Sequence, residues 1–288
     1  MIKNLKYRFK IADPVLKLIY INAAIFVIVQ ILNTFSFLTQ SSGINVIEIL
    51  GLPSQLDQLI YKPWTLLTYM YTHEGFMHVL LNLLWLHFSG KIFMQYFNFE
   101  KIYDLYILGG FIGGITYLLS YQFLAVFENQ SSYLIGSSAS VLSLLFATAT
   151  YVPNYKVNLP ILGPVSIKYI ALASVFIDVM SIPNGNAGGH IAHLGGALTG
   201  ILFVSQWKKE NDITNYVSKF RKLLSGLLNY KKKMKTVHKR PKSDDDFRNN
   251  KMEKSRKIDS ILEKISHSGY DSLSKIEKDY LFNQSKNI

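Results

Sequence analysis

Residues 133–152 read YLIGSSASVLSLLFATATYV, twenty positions without a charged side chain. A helix of that length rises about 30 Å, the thickness of a bilayer's hydrocarbon core. Five further apolar runs of similar character lie at about 15–37, 76–97, 102–125, 168–183 and 187–206. Hydrophobic residues make up 49% of the 288 and mean hydropathy is +0.16, a balance that makes membrane the first class to test. The predicted fold class is therefore an all-α polytopic membrane protein with six transmembrane helices. No small-residue cleavage site follows the first run, which is too long for a signal peptide, so it is expected to be retained as a span.

The chain has no cysteine, which excludes disulfides and thiolate metal sites. Its net charge of +12 is unevenly placed: from Trp207 onward there are 21 Lys and Arg against 11 Asp and Glu, leaving only +2 before that point. The basic character thus belongs to the tail, and a nucleic-acid partner is not expected.

Lys and Arg also set the expected orientation. Lys3, Lys6, Arg8 and Lys10 precede the first run, Lys91 and Lys101 stand between the second and third, and Lys156 and Lys168 between the fourth and fifth. Segments 38–75, 126–132 and 184–188 hold only Lys62 among them. By the positive-inside rule both termini are expected on the cytoplasmic side. The long first loop is apolar and aromatic, so helices lying in the interface are predicted there, with Trp64, Tyr69 and Tyr71 at headgroup level.

The predicted domain order begins with a cytoplasmic segment over 1–14 and the six-span unit over 15–206. A basic amphipathic juxtamembrane helix follows over 207–235, then a linker over 236–255 and a small helical module over 256–288. In the juxtamembrane segment Val217, Phe220, Leu223, Leu224, Leu227 and Leu228 recur at helical spacing, with Lys219, Arg221, Lys222 and KKKMK (231–235) around them. That pattern fits a helix against anionic lipid. In the module, Ile258, Ile261, Leu262 and Ile265 share a face and SHSGYD breaks the helix. A second helix is expected to start at Ser274 with Glu277 as its capping-box partner.

Polar groups inside the spans carry the functional signal, because ionisable side chains at membrane depth are expensive. His78 and Asn82 open the second run, Ser137 and Ser138 lie about five residues into the fourth, and His193 about six into the sixth. If these three runs enter from the same side, the groups share a level about 10 Å below the outer surface. A serine becomes a nucleophile when a neutral imidazole takes its proton, and acyl transfer also needs donors at the developing oxyanion. His78 and Asn82, four apart, present one helix face. No carboxylate is expected at that level, so the economical arrangement is a Ser-His dyad. Ser137 and Ser140 compete with Ser138, and His190 with His193. His73 is expected at the interface, His87 in a packing or headgroup contact, and Asp178 in a hydrogen-bonded structural role. No metal-ligand spacing is present among these histidines, so no metal site is expected.

These residues resemble the rhomboid family of intramembrane serine proteases. GSSA at Gly136 to Ala139 is similar to the family's Gly-x-Ser-x motif, HVLLN at His78 to Asn82 to its His-x-x-x-Asn pair, and AHLGG at Ala192 to Gly196 to its Ala-His-x-Gly motif. The resemblance covers about 15–206. It implies that Ser138 is the nucleophile and His193 the general base. It also implies an oxyanion hole from the Ser138 amide, His78 and Asn82, no cofactor, and membrane-spanning protein substrates cut near the outer face. Gly136, Gly195, Gly196 and Gly200 are assigned to helix packing, with Gly195 and Gly196 bringing span six onto span four. Leu142 stands where the family has an aromatic, and Trp64-Thr65 where it has Trp-Arg. The alternative is a non-proteolytic rhomboid-like protein that binds or escorts membrane clients. With no targeting segment read in the sequence and six spans, a bacterial inner (plasma) membrane is the expected location.

Overall fold

The computed structural model describes residues 2–40, 45–159, 162–228 and 244–285. The chain divides into two units, Met1–Leu228 and Asn229–Ile288.

The first unit opens with helix α1 (Ile2–Ile11) and the long apolar α2 (Pro14–Leu38). Asp13 caps α2, its carboxylate accepting from the Leu16 amide at 3.0 Å, and Pro14 occupies the first helical position where its missing N–H costs nothing. The first loop then carries α3 (Val46–Leu50), a two-residue strand β1 (Leu52–Pro53), α4 (Leu56–Tyr61) and α5 (Thr65–Thr68). After it come α6 (Phe76–Phe93), α7 (Glu100–Phe123), β2 (Tyr133–Leu134) and α8 (Ser138–Tyr151). The hairpin β3–β4 (Lys156–Leu159, Gly163–Ser166) leads to α9 (Ile167–Ser181) and α10 (Ala187–Trp207). Helices α2, α6, α7, α9 with its 3-10 extension, and α10 are each long and apolar enough to cross a bilayer. The protein is an all-α polytopic membrane bundle.

Helix α8 departs from the expected span. Residues 133–137 are not helical (Tyr133–Leu134 form the strand β2 and the chain turns at Gly136), and α8 itself has only 14 residues, about 21 Å of a core about 30 Å thick. Ser138 is therefore the first residue of its helix and not the sixth of a longer one. Two features cause this. Gly136 has φ +111°, a conformation closed to other residues at low cost. The strand before it is held from the first loop: Leu52 pairs with Leu134 and Pro53 with Tyr133, and the Gly136 amide donates to Tyr69 O at 3.0 Å. Non-helical backbone at membrane depth needs such partners.

Helix α8 is central, buried from Ala139 to Ala149 except at Leu142 and enclosed by α6, α7, α9 and α10. Glycines admit this close approach. A methyl on Gly113 of α7 would stand 2.5 Å from the Ala139 Cβ and 2.9 Å from Ala192 O, and one on Gly200 of α10 would stand 2.8 Å from the Ala147 amide nitrogen. Gly196 meets the Ala139 backbone in the same way, but Gly195 faces Thr116 of α7, so only one of that pair serves the contact with α8. Gly136 precedes α8 and is a turn residue that also admits His78 of α6, whose Nε2 a Cβ there would meet at 2.6 Å.

The first loop is more deeply integrated than an interfacial layer. Trp64 is half exposed and donates through Nε1 to Ile49 O at 2.9 Å, yet Tyr69 is buried, its hydroxyl donating to Gly110 O at 2.5 Å, and Tyr71 packs on Tyr106.

Beyond α10, helix α11 (Asn215–Leu228) packs against α7. It starts later than the predicted 207, and residues 229–235 of the predicted helix, KKKMK included, lie outside the described residues. Arg221, read as part of a lipid-facing basic side, turns inward: its Nε donates to the buried Asp104 carboxylate at 3.0 Å and its Nη2 to Glu100 at 2.9 Å. Ser218 also donates to Asp104, and Lys101 pairs with Asp212. A buried carboxylate needs such partners, and α11 supplies them.

In the second unit, α12 (Asp244–Ser268) begins inside the stretch read as linker, and α13 is Lys275–Ser285. Gly269, at φ +79°, ends the helix. The expected capping box is present, with the Ser274 amide donating to Glu277 Oε2 at 2.8 Å and the Glu277 amide to Ser274 Oγ at 3.3 Å. Ile261 and Leu273 are buried within the unit, and Lys264 pairs with Glu277 at 3.1 Å.

Candidate active site

Ser138, His193 and Asp178 come from three helices and meet in one line. Ser138 Oγ lies 2.5 Å from His193 Nε2, and His193 Nδ1 lies 2.7 Å from Asp178 Oδ1. The Nδ1 of His190 lies 2.8 Å from the same oxygen. A carboxylate is thus present at the level where none was expected. Its position follows from a helical hairpin: Asp178 is six residues before Asn184, the end of the α9 extension, and His193 six residues after Ala187, the start of α10. Antiparallel neighbours of equal offset sit at equal depth. The signal available in the sequence was an acidic side chain inside an apolar helix. His190 touches Asp178 and not the serine, so the two histidines differ in what they reach.

Ser138 opens α8, where first-turn amides lack intrahelical acceptors and the helix dipole is positive. Its own N–H and those beyond it form an anion-binding end. His78, on α6, approaches this turn closely: a Cβ on Gly136 would stand 2.6 Å from His78 Nε2. Gly136 is needed both for its backbone angle and for that approach. Asn82 is one turn further along α6 and gives one amide hydrogen to His78 O at 3.0 Å, leaving a second N–H. A cavity of about 600 Å³ joins these groups; His78, Asn82, Ser138, Asp178 and His193 line one end, and Trp85 of α6 and Tyr169 of α9 stand further along. Leu142 also lines it, leaving His193 without an aromatic neighbour at that position.

The competing serines have other employment. Ser137 is buried and its Oγ lies 3.2 Å from His73 Nε2, while its amide donates to the same nitrogen at 3.4 Å. His73 is fully buried, not interfacial, and packs edge-on to His78 with ring centres 5.1 Å apart. Burial, then the nearby His78, pushes the His73 pKa down to about 4, so it is neutral near pH 7. Ser140 is buried against α7, and its Oγ has no hydrogen-bond partner among the described residues. His87 is exposed beside Phe88. Thr65 is buried and its hydroxyl donates to Lys62 O at 2.6 Å.

Comparison with known proteins adds an independent line. A family model described as Rhomboid domain matches residues 61–207, and one described as Family of unknown function (DUF6576) matches 242–287. RHOMBOID-like protein 7 of Arabidopsis thaliana is 30% identical over 141 residues, covering 48% of this chain and 41% of that protein. RHOMBOID-like protein 12, mitochondrial, of the same plant is 24% identical over 197 residues, 64% of this chain and 55% of that protein. Presenilin-associated rhomboid-like protein A, mitochondrial, of Danio rerio is 27% identical over 169 residues, 54% and 42% respectively. The chain thus spans about half the length of these relatives.

Proposed function

From the premise that the chain belongs to the rhomboid family, we propose that it is an intramembrane serine endopeptidase that cuts membrane-spanning proteins through an acyl-enzyme on Ser138. The observation that carries this reading is the 2.5 Å approach of Ser138 Oγ to His193 Nε2, with Asp178 on the far side of the ring. In the proposed mechanism, Nε2 accepts the serine proton as Oγ attacks the scissile carbonyl. Asp178 holds the Nδ1–H tautomer and faces the imidazolium that forms, so the machinery extends the expected dyad by a carboxylate. The oxyanion forms at the first turn of α8, where the Ser138 amide, His78 and the second N–H of Asn82 are placed to donate. His193 then protonates the leaving amine, and water entering the cavity takes the reverse path to release the acyl group.

The apolar lining of the cavity between α6 and α9 suits a membrane-spanning substrate. On the lysine distribution, both termini face the cytoplasm and the site opens toward the opposite side. The test is labelling of the detergent-solubilised full chain by a fluorophosphonate probe, together with cleavage of a single-span substrate. Ser138→Ala abolishes both, and Ser140→Ala retains both. Labelling of the Ser138→Ala protein sinks the assignment.

A further inference from the structure

The proposed proteolysis uses one imidazole, yet two converge on Asp178. We propose that Asp178, His190 and His193 form a binding site for a divalent transition ion of the Zn(II) class, and that its occupancy switches off His193 as a base. The switch rests on the protease reading; the binding does not.

The donor set is two imidazole nitrogens and one carboxylate oxygen, a combination that suits Zn(II) and Co(II). His190 and His193 are three apart on α10 and so share a face, and Asp178 completes the set from α9. All three donor atoms lie within 4.8 Å of one another. In a tetrahedral site with bonds of about 2.0–2.1 Å, neighbouring donors are about 3.3 Å apart. The present separations of 2.7 and 2.8 Å from Asp178 Oδ1 to the two Nδ1 atoms therefore open by about 0.5 Å to admit an ion. The side chains are 20%, 21% and 9% exposed for His190, His193 and Asp178, and Asp178 and His193 line the cavity, which gives an entry path and room for a water as fourth ligand.

The consequence for His193 follows from where its proton resides. In the metal-free site Nδ1–H donates to Asp178 and the Nε2 lone pair faces Ser138. A metal takes the Nδ1 lone pair, so the single proton of the neutral ring moves to Nε2. That nitrogen then donates toward Ser138 Oγ and has no lone pair to receive the serine proton. The ring stays neutral, no proton is lost, and the Asp178 carboxylate offsets one of the two metal charges. Ser138 itself remains untouched. His190 is in this account the residue that turns a catalytic His-Asp contact into a three-donor chelate.

The experiment uses the full chain, purified in detergent and stripped with EDTA. Co(II) is added to look for the visible absorption of a four-coordinate ion, and Zn(II) binding is measured calorimetrically. The expected result is one Co(II) per chain, displaced by Zn(II), with affinity reduced at least tenfold in both His190→Ala and His190→Gln and unchanged in His87→Ala. Thermal unfolding in metal-free buffer confirms that each variant is folded; two histidine replacements of different size are used so that one folded variant is available. Absence of the Co(II) band in the unmodified chain, or equal affinity in a folded His190 variant, overturns the site. In parallel, Zn(II) is expected to slow fluorophosphonate labelling of Ser138 at least tenfold, reversed by EDTA. Zinc binding without slowed labelling overturns the switch and leaves the site; zinc binding by a chain that the probe never labels leaves the site and overturns the protease reading.

Discussion

Replacing Gly196 by alanine tests how Ser138, the proposed nucleophile, is positioned. The added methyl would stand 2.7 Å from the carbonyl carbon and 2.8 Å from the Cα of Ala139, and nearer still to its oxygen. Carbon atoms rest at about 3.5–4.0 Å, so α8 and α10 must part by about 1 Å, and the atoms met are backbone, which cannot rotate aside. Ser138 is the residue before Ala139, and His193 lies one turn before Gly196. Parting the helices stretches the 2.5 Å contact between Oγ and Nε2 toward 3.5 Å, where it ceases to be a hydrogen bond. Overpacking of this kind costs about 1–3 kcal/mol, and an ångström of misplacement costs about 10²-fold in rate. The assay is the second-order rate of fluorophosphonate labelling, normalised to the folded fraction from thermal unfolding. Gly75→Ala, where a methyl meets nothing within 4 Å, serves as the control. Labelling of Gly196→Ala within threefold of the unmodified rate, with an unshifted unfolding midpoint, would refute this account of the clamp.

Asp178→Asn removes the charged partner that holds the Nδ1–H tautomer of His193, so labelling is expected to slow at least tenfold, the unfolding midpoint to fall with the loss of a charge-assisted bond worth about 1.5–3 kcal/mol, and Asp178→Glu to recover part of both losses. His73, held near 4 when folded against 6.5 when free, binds fewer protons folded than unfolded between those values. Stability is therefore full above about pH 6.5 and falls by about 3 kcal/mol as pH drops toward 4; unfolding midpoints at pH 7.5 and 4.5 measure it, and His73→Gln flattens the difference. Arg221→Ala strips the Nε partner from buried Asp104 and is expected to cost about 1–3 kcal/mol and to speed limited proteolysis within α11; unchanged cleavage would show that the pair does not anchor that helix.

Much of this was legible from local pattern. Long apolar runs marked the spans because a bilayer imposes their length, and the resemblance named Ser138 and His193, which the fold brings together. The unread parts depend on partners distant in sequence. That 133–137 is not helical is decided by Leu52, Pro53 and Tyr69, some eighty residues earlier for the strand pair, and apolar composition alone cannot separate such a segment from helix. Tyr69 looks like a headgroup aromatic until the Gly110 carbonyl is found above its hydroxyl. Asp178 was readable: its offset from the α9–α10 turn equals that of His193, but judging it one helix at a time hid the pairing. Arg221 has the charge of a lipid contact, and only the fold shows Asp104 beneath it.

The proposed hydrolysis has to reconcile two demands among apolar helices: water must reach a serine, and no backbone group may be left bare in lipid. The short α8 meets the first, because a helix starting at Ser138 leaves its first amides facing a cavity instead of a preceding turn. The same truncation creates the second problem, since residues 132–137 lose helical partners. The first loop resolves it: Ser54 N and Oγ engage Ser132, β1 engages β2, Tyr69 O receives the Gly136 amide, and neutral His73 receives that of Ser137. These contacts fix the turn that aims Ser138, while Gly113 and Gly196 fix Ala139 from the other side. The loop between the first two spans is therefore part of the positioning apparatus, and changes in it should reach the serine through hydrogen bonds rather than through the bilayer.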